Sequence, residues 1–141
     1  MIGLLNNKIR TYLTRLGSKY SVVFDSDMNY EFKTEGGAYE FGNFSAGEQM
    51  RIMIATSFAF RDFMSVRNGL NANILVLDEY FDSAVSSACL ESMFGILREY
   101  VDDCGQTVYC ISHRPELAAE NFDGIIEVRK TNNISRISRL S

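Results

Sequence analysis

Two neighbouring acids, Asp78 and Glu79, end an apolar run that reads Asn-Ile-Leu-Val-Leu from position 73. Carboxylates at the carboxyl end of a buried strand are costly without partners, and open α/β sheets bind ligands at that edge. An aspartate there can hold Mg²⁺ or its water, and the glutamate can orient or deprotonate an attacking water. The pair predicts metal-assisted phosphate hydrolysis, although a strand ending in Asp-Glu also occurs by chance.

A second motif, Phe-Ser-Ala-Gly-Glu-Gln from position 44, opens a predicted helix. Ser45 and Glu48 have the spacing of a capping box, which is common in helices without any binding role. The free N–H groups and positive dipole end of a helix also attract phosphate. With Ala46 and Gly47 small enough for close approach, the Ser45 hydroxyl and these backbone amides could contact a γ-phosphate. The position of Ser45, 33 residues before Asp78, favours the second interpretation.

The only histidine, His113, follows another apolar run, Val-Tyr-Cys-Ile-Ser from position 108. A lone histidine is more often structural than catalytic. This one lies 35 residues after Asp78, which is one strand–helix–strand step. We therefore expect it at the same sheet edge, where it could hydrogen-bond a γ-phosphate or polarise the attacking water.

The first third of the chain combines one helix with antiparallel strands. Apolar residues recur every three or four positions before a stop at Gly17 (Ile2, Leu5, Ile9, Tyr12 and Leu16). This spacing fits a two-heptad coiled-coil seam and fits equally an amphipathic helix packed on a sheet. Strands are predicted over 20–25 and 28–33, and Gly36-Gly37 turns the chain into a return strand over 38–41.

The remainder, 44–141, alternates helices with apolar strands, so we predict one α/β domain over 1–141. The strand 73–78 is apolar throughout, as expected of a central strand buried on both sides. The other predicted elements are helices over 46–66, 84–101 and 115–120, a strand over 106–111, and a hairpin of 124–130 with 134–140 around Asn132-Asn133.

Composition excludes several classes of protein. The net charge of −4 gives no general attraction to nucleic acid. Four cations near the end (Arg129, Lys130, Arg136 and Arg139) fit a solvated hairpin better than a DNA-binding patch. Three cysteines without a Cys-x-x-Cys pair argue against a disulfide framework. Without a long apolar run or a signal peptide, we expect a cytoplasmic protein with no membrane segment.

The order of the three motifs resembles the signature motif, Walker B strand and switch histidine of ABC-type ATPases. The chain resembles the C-terminal lobe of SMC-like ABC ATPases of the double-strand-break repair class. Within that class it is most similar to the ATPase subunits of the recombination endonucleases of T-even-type bacteriophages. The likeness runs from Lys8–Leu13 through 30–41, 44–49 and 75–82 to Ile111–Arg114.

This resemblance implies a fold. It is the C-terminal half of an ABC/SMC-type P-loop NTPase head, with a mixed, largely parallel sheet, flanking helices and a small antiparallel hairpin. The family also implies a long coiled coil leading into the lobe, so 1–17 is interpreted as the end of a coiled-coil helix. If the chain is phage-encoded, its place is the host cytoplasm.

The resemblance also implies the site and its partners. Two ATP molecules with Mg²⁺ are sandwiched between two heads, and the Ser45–Glu48 segment contacts the nucleotide of the other head. Asp78 is the metal ligand of the Walker B motif, Glu79 the catalytic base and His113 the switch histidine. The heads control a metallophosphoesterase-type nuclease subunit and DNA.

Several positions depart from the family pattern. Phe44, Ala46 and Glu48 replace the usual Leu, Gly and Gln of the signature, and Glu48 fits the repair class better than a transporter. Tyr80 replaces a proline. The D-loop Ser83-Ala84-Val85-Ser86 has Ser86 where aspartate is usual, which weakens the expected coupling of the two sites.

The largest departure is the absence of a phosphate-binding loop, since none of the ten glycines is followed by lysine. We therefore expect a separate chain or a missing segment to supply a lobe with a Walker A motif. In one hypothesis the complemented head is an ATPase. In the alternative, the chain is a non-hydrolysing module that binds a partner head or DNA. Half a head should expose apolar sheet surface and be marginally stable alone.

Overall fold

The computed structural model describes residues 1–34, 37–69, 72–81, 86–114 and 121–140. Its helices are α1 (Ile2–Arg15), α2 (Ala46–Asn68) and α3 (Ser87–Asp102), and a short 3-10 helix covers Phe41–Asn43. Its strands are β1 (Ser21–Phe24), β2 (Tyr30–Thr34), β3 (Gly37–Tyr39), β4 (Ile74–Asp78), β5 (Thr107–Ile111), β6 (Ile125–Thr131) and β7 (Ile134–Leu140). Among these ranges, no helix is both long and apolar enough to cross a membrane.

The strands form three small sheets. β1, β2 and β3 are antiparallel neighbours, β4 pairs in parallel with β5, and β6 pairs antiparallel with β7. The predicted α/β fold is confirmed, but parallel pairing is limited to β4 and β5 in the described part of the chain. These two strands are joined through α3, whereas short turns join β1 to β2 and β6 to β7, and such turns make antiparallel neighbours.

Helix α1 packs its apolar side against α2 and β1. Leu5 and Ile9 are fully buried, and Leu16 ends the helix before Gly17, whose φ of 71° suits only glycine well. The apolar spacing is therefore used inside this chain, as the amphipathic interpretation predicts. That the segment ends a coiled coil stays a prediction.

The antiparallel strands are shorter than predicted. The second strand begins at Tyr30 because Met28 has a φ of 66° in a turn. The Asp25 carboxylate organises that turn, since Oδ1 accepts the backbone N–H groups of Asp27 and Asn29 at 2.9 Å. The return strand ends at Tyr39, before the 3-10 helix. Part of the predicted glycine turn lies outside the described residues.

Helix α2 is the centre of the core. It ends at Asn68, two residues beyond the predicted Val66, and is followed by Gly69 in a left-handed conformation. α3 begins at Ser87 with Ser86 as its N-cap, and the predicted start at Ala84 lies outside the described residues. The same holds for the predicted short helix over 115–120. The closing hairpin is confirmed, with Asn132 and Asn133 both at positive φ in its turn.

The parallel pair of strands is buried on one face only. Alternate residues of β4 and β5 lie on an exposed face, about half of each side chain being open to solvent (Ile74, Val76, Tyr109 and Ile111). The prediction that strand 73–78 is buried on both sides is therefore wrong for this chain. Burial of the second face needs another layer, and the described residues cover only the face that carries Leu77.

A polar cluster joins the three helices around Asp62 of α2. Its two carboxylate oxygens accept the hydroxyls of Tyr12 at 2.7 Å and Tyr100 at 2.9 Å. Lys8 Nζ lies 3.1 Å from Asp62 Oδ2. Burial, followed by the bond to Asp62, raises the pKa of Tyr12 far above its usual value. Burial is also the main cause that raises the pKa of Tyr100 to about 12.

These tyrosines predict a loss of stability in alkali. Both phenols titrate at higher pH in the folded chain than in the unfolded chain, where the pKa is about 10. Their contribution is therefore complete below pH 10 and falls as the pH rises toward 12. We expect urea unfolding to show a shallower decline over this range in Tyr100→Phe, and a still shallower one in Tyr12→Phe/Tyr100→Phe. An unchanged decline in the double variant would contradict the assignment.

Candidate functional site

The carboxyl ends of β4 and β5 bring two of the predicted site residues together. Asp78 pairs with Ile111 in the parallel register, and the Glu79 N–H donates to the Ile111 carbonyl at 2.9 Å. His113 follows two residues later, with its Nε2 3.4 Å from Glu79 Oε1. The sheet edge therefore carries an acid and an imidazole in contact, directly after Asp78 at the end of β4.

Glu79 has an unusual backbone conformation. Its φ is 57°, in the left-handed region that residues other than glycine, asparagine and aspartate seldom adopt. Such conformations cost about 1–3 kcal/mol and cluster at functional sites. The strain sits at the residue proposed as base, where β4 ends and the chain turns away from the sheet. This feature could not be read from the residue types.

The site is open to solvent. The side chains of Glu79 and His113 are 64% and 81% exposed, and Asp78 is exposed as well. The premise that the two acids are buried is therefore wrong for this chain, because the exposed face of β4 and β5 leaves the edge uncovered. Both carboxylates are instead accessible to a ligand arriving from solvent.

The residues at this edge fit Mg²⁺ bound together with a nucleotide. Mg²⁺ takes oxygen ligands and typically uses one or two carboxylates, with phosphates and waters completing its shell. Asp78 offers such a carboxylate. Within the described ranges there is no group of three or more His, Cys, Asp or Glu side chains that could hold a metal alone.

Arg114 supports the loop that carries His113, and residue types alone did not single it out. Its Nη1 donates to the Phe81 carbonyl at 3.2 Å, and its backbone N–H donates to Ser112 Oγ at 3.0 Å. Phe81 is buried and stacks on Phe94 with ring centroids 5.0 Å apart. Arg114 thus ties the loop after β5 to the segment that follows Glu79.

The segment Ser45–Glu48 begins α2 as a capping box. Glu48 Oε2 accepts the Ser45 backbone N–H at 2.9 Å and its hydroxyl at 2.6 Å. These bonds from Ser45, then one from Tyr20, lower the pKa of the Glu48 carboxyl. A bound phosphate would have to draw the Ser45 hydroxyl away from Glu48. Tyr20 was missed because nothing in the sequence pairs it with this helix.

The signature segment and the sheet edge are separate in this chain. Ser45 bonds to Glu48, and Glu48 also interacts with Tyr20; among the described residues neither of them bonds to Asp78 or Glu79. Ala46 and Gly47 are the first two residues of α2 and lie between Ser45 and Glu48 in the sequence. Of the D-loop residues, Ser83 and Ala84 lie outside the described ranges. Ser86 occupies the N-cap position of α3, where its hydroxyl accepts a hydrogen bond from Arg51 instead of capping the helix.

Curated relatives carry a matching segment. The chain is 33% identical over 114 residues to exonuclease subunit 2 of Escherichia phage RB69, and 31% identical to exonuclease subunit 2 of Enterobacteria phage T4. Each match covers 80% of this chain and 20% of the relative. The chain thus spans about a fifth of the length of these proteins. No family model matches it.

Solved structures carry the same fold. A structure from work on ATP-driven dimerization and DNA-stimulated activation of SMC ATPases matches with a TM-score of 0.76. It shares 18% identity and covers 99% of this chain and 85% of its own. An Smc head bound to the C-winged helix domain of ScpA matches with a TM-score of 0.75 and 19% identity, over 99% of this chain and 43% of its own.

These comparisons confirm the resemblance inferred from the sequence. The chain is homologous to a segment of the phage exonuclease subunits, and its fold is that of an SMC-type ABC ATPase head. Neither comparison reports on individual residues, so the roles assigned to the residues stay predictions.

Proposed function

We propose that this chain is the C-terminal half of an SMC-like ATPase that binds and hydrolyses ATP between two heads, and so controls a DNA-recombination nuclease. The contact of Glu79 with His113 at the carboxyl end of β4, at a strained backbone position, carries the proposal. Homology to phage exonuclease subunits supports the biological setting.

Each residue of the edge has one role. Asp78 holds Mg²⁺, directly or through a water, and the metal neutralises charge on the phosphates when it is bound. Glu79 orients the attacking water and takes its proton, for which its exposed carboxylate is accessible. His113 donates a hydrogen bond to the γ-phosphate. Its contact with Glu79 keeps both side chains directed at the γ-phosphate and the attacking water.

The start of α2 acts on the nucleotide of the other head. Ser45 is freed from Glu48 when a γ-phosphate arrives, and the backbone N–H groups of Ala46 and Gly47 face the phosphate at the positive end of the helix. Glu48 keeps the first turn formed by accepting the Ser45 N–H. Each ATP is therefore hydrolysed only when two heads meet.

A lobe with a Walker A motif has to complete the head. The exposed apolar face of β4 and β5 supports this requirement, because monomeric proteins seldom leave such a face open. The β6–β7 hairpin supports it too, since two-stranded hairpins are marginal alone. Its exposed apolar residues are Ile126, Val128, Ile134, Ile137 and Leu140.

The other partners follow from the relatives. The phage relatives are named exonuclease subunit 2, which supports a nuclease subunit as partner. We propose that this partner is of the metallophosphoesterase type. The SMC structure from work on dimerization and DNA stimulation supports a second head and DNA. The cations of the hairpin, such as Arg136 and Lys130, are exposed and could contact DNA phosphates.

The test is a chimera. The matching segment of RB69 exonuclease subunit 2 is replaced by this chain, and ATP turnover is compared with that of the parent and of a version lacking the segment. We expect turnover well above that of the deleted version. A folded chimera that binds ATP without turnover would refute the ATPase proposal and favour the non-hydrolysing interaction module.

A further inference from the structure

A single side chain links the start of α2 to the start of α3. Arg51 lies one turn after Glu48, and its Nη2 donates to Ser86 Oγ at 3.1 Å. Ser86 is the N-cap of α3 and the last residue of the D-loop motif. The bond therefore joins the segment that the proposed function directs at the second head to the residue at which the D-loop motif departs from the family pattern.

The link is incomplete on the arginine side. Nε of Arg51 is buried and makes no hydrogen bond within the described ranges, while the guanidinium as a whole also interacts with the Cys89 thiol. Buried donors are nearly always satisfied, so an orphan of this kind needs an explanation. A guanidinium presents N–H groups in a fork that fits the two oxygens of a carboxylate, whereas a serine hydroxyl has one oxygen.

The charge of Arg51 also acts on both segments. It contributes to the lowered pKa of the Glu48 carboxyl, after the larger effects of Ser45 and Tyr20. At α3, burial raises the pKa of the Cys89 thiol, and the neighbouring Arg51 guanidinium opposes that rise. The guanidinium is thus electrostatically coupled to the signature segment on one side and to the first turn of α3 on the other.

We propose that Arg51 is a positioning residue that holds the Ser45–Glu48 segment and the start of α3 in one arrangement, and that Ser86 makes this link weaker than an acidic residue would. The part that concerns turnover rests on the proposed function. The Ser86 side chain makes no capping hydrogen bond to α3, and aspartate is as favourable as serine at the N-cap position, so an aspartate at position 86 would be compatible with the start of the helix. It would also give Arg51 a charged acceptor with two oxygens.

A double-mutant cycle tests the link in the 141-residue chain without any assumption about ATP. Ser86→Asp should raise the Tm by about 3 °C, since charge-assisted bonds are roughly twice as strong as neutral ones. Ser86→Asn is the matched control, because asparagine is also favourable at the N-cap position but carries no charge. In the Arg51→Met background the gain should fall to the part that the helix dipole gives to an acid at the N-cap, and in Arg51→Lys, which keeps the charge without the fork, it should be intermediate. A full gain in both backgrounds would overturn the link.

Turnover in the chimeric head tests the positioning role. We expect Ser86→Asp to raise kcat and Arg51→Lys to lower it, each by roughly two- to thirtyfold, with the ATP Kd unchanged. A purely structural role would leave kcat unaltered in folded variants, and that result would overturn positioning. If the unsubstituted chimera has no turnover, the proposed function fails, while the thermal cycle still decides whether Arg51 and Ser86 are coupled.

Discussion

Replacing Glu79 by glutamine should lower the ATP turnover of the chimeric head by roughly 10²–10⁴-fold, the usual contribution of a positioned general base. Glutamine keeps the size and the hydrogen-bonding reach of the side chain but cannot take a proton from water. ATP binding should persist, because the phosphates and the metal are held by other groups. Steady-state turnover and the ATP Kd, measured on the same preparation, separate the two effects.

The control for this substitution is Glu91→Gln, which removes another exposed carboxylate, on α3. It should leave turnover within experimental error of the unsubstituted head. Heads carrying Glu79→Gln should also remain paired for longer in ATP, since the bound nucleotide persists, and light scattering would detect this. Turnover that survives Glu79→Gln would assign the base to another residue and remove the chemistry proposed for this edge.

The arrangement of this edge could be predicted from the sequence because it depends on strand order. Two apolar runs separated by one amphipathic helix form a parallel pair, and parallel strands end at the same edge. That rule alone predicts that Glu79 and His113 lie close together, and in the structure His113 Nε2 is 3.4 Å from Glu79 Oε1. The capping box at Ser45 and Glu48 was predictable for a similar reason, since both partners lie within one helical turn.

Features that depend on distant side chains could not be predicted in this way. Tyr20 reaches Glu48, and Arg51 reaches Ser86, only after the antiparallel strands and α3 have packed against α2. No short-range pattern encodes such contacts. The turn at Asp25 was different, because Asp25 and Asn29 lie close enough in the sequence to form a local turn signal. The prediction of a strand over 28–33 followed the alternation of apolar residues instead.

The error about burial has another cause. Continuous apolar residues in β4 signal two covering layers, but a sequence does not state which chain supplies each layer. In this chain one layer is α3 and the core, and the opposite face carries half-exposed residues such as Val76 and Tyr109. The continuous apolar residues of β4 therefore fit a strand covered on both sides in a complete head. The exposed face of β4 and β5 is the side that this chain leaves uncovered.

The core substitution with the largest expected effect is Phe58→Ala, at about 3–5 kcal/mol of unfolding free energy. The ring is 1% exposed and contacts both Tyr12 and Tyr100, with centroids 5.7 Å away in each case. Alanine would leave a cavity where α1, α2 and α3 meet, next to the hydroxyls that Asp62 accepts. Urea unfolding of the 141-residue chain, followed by circular dichroism, measures the loss.

The matched control is Phe60→Ala on the same helix. Phe60 is only partly buried and packs edge-on to Phe24 at 5.4 Å, so its removal should cost clearly less. An equal or greater cost for Phe60→Ala would mean that the α2 side facing the antiparallel strands, and not the Phe58 cluster, holds the lobe together.

Domains are stable by only about 5–15 kcal/mol, and this chain leaves apolar faces open. A loss of 3–5 kcal/mol can therefore unfold Phe58→Ala alone, while a complementing lobe that covers β4 and β5 should restore part of its stability by binding the folded state.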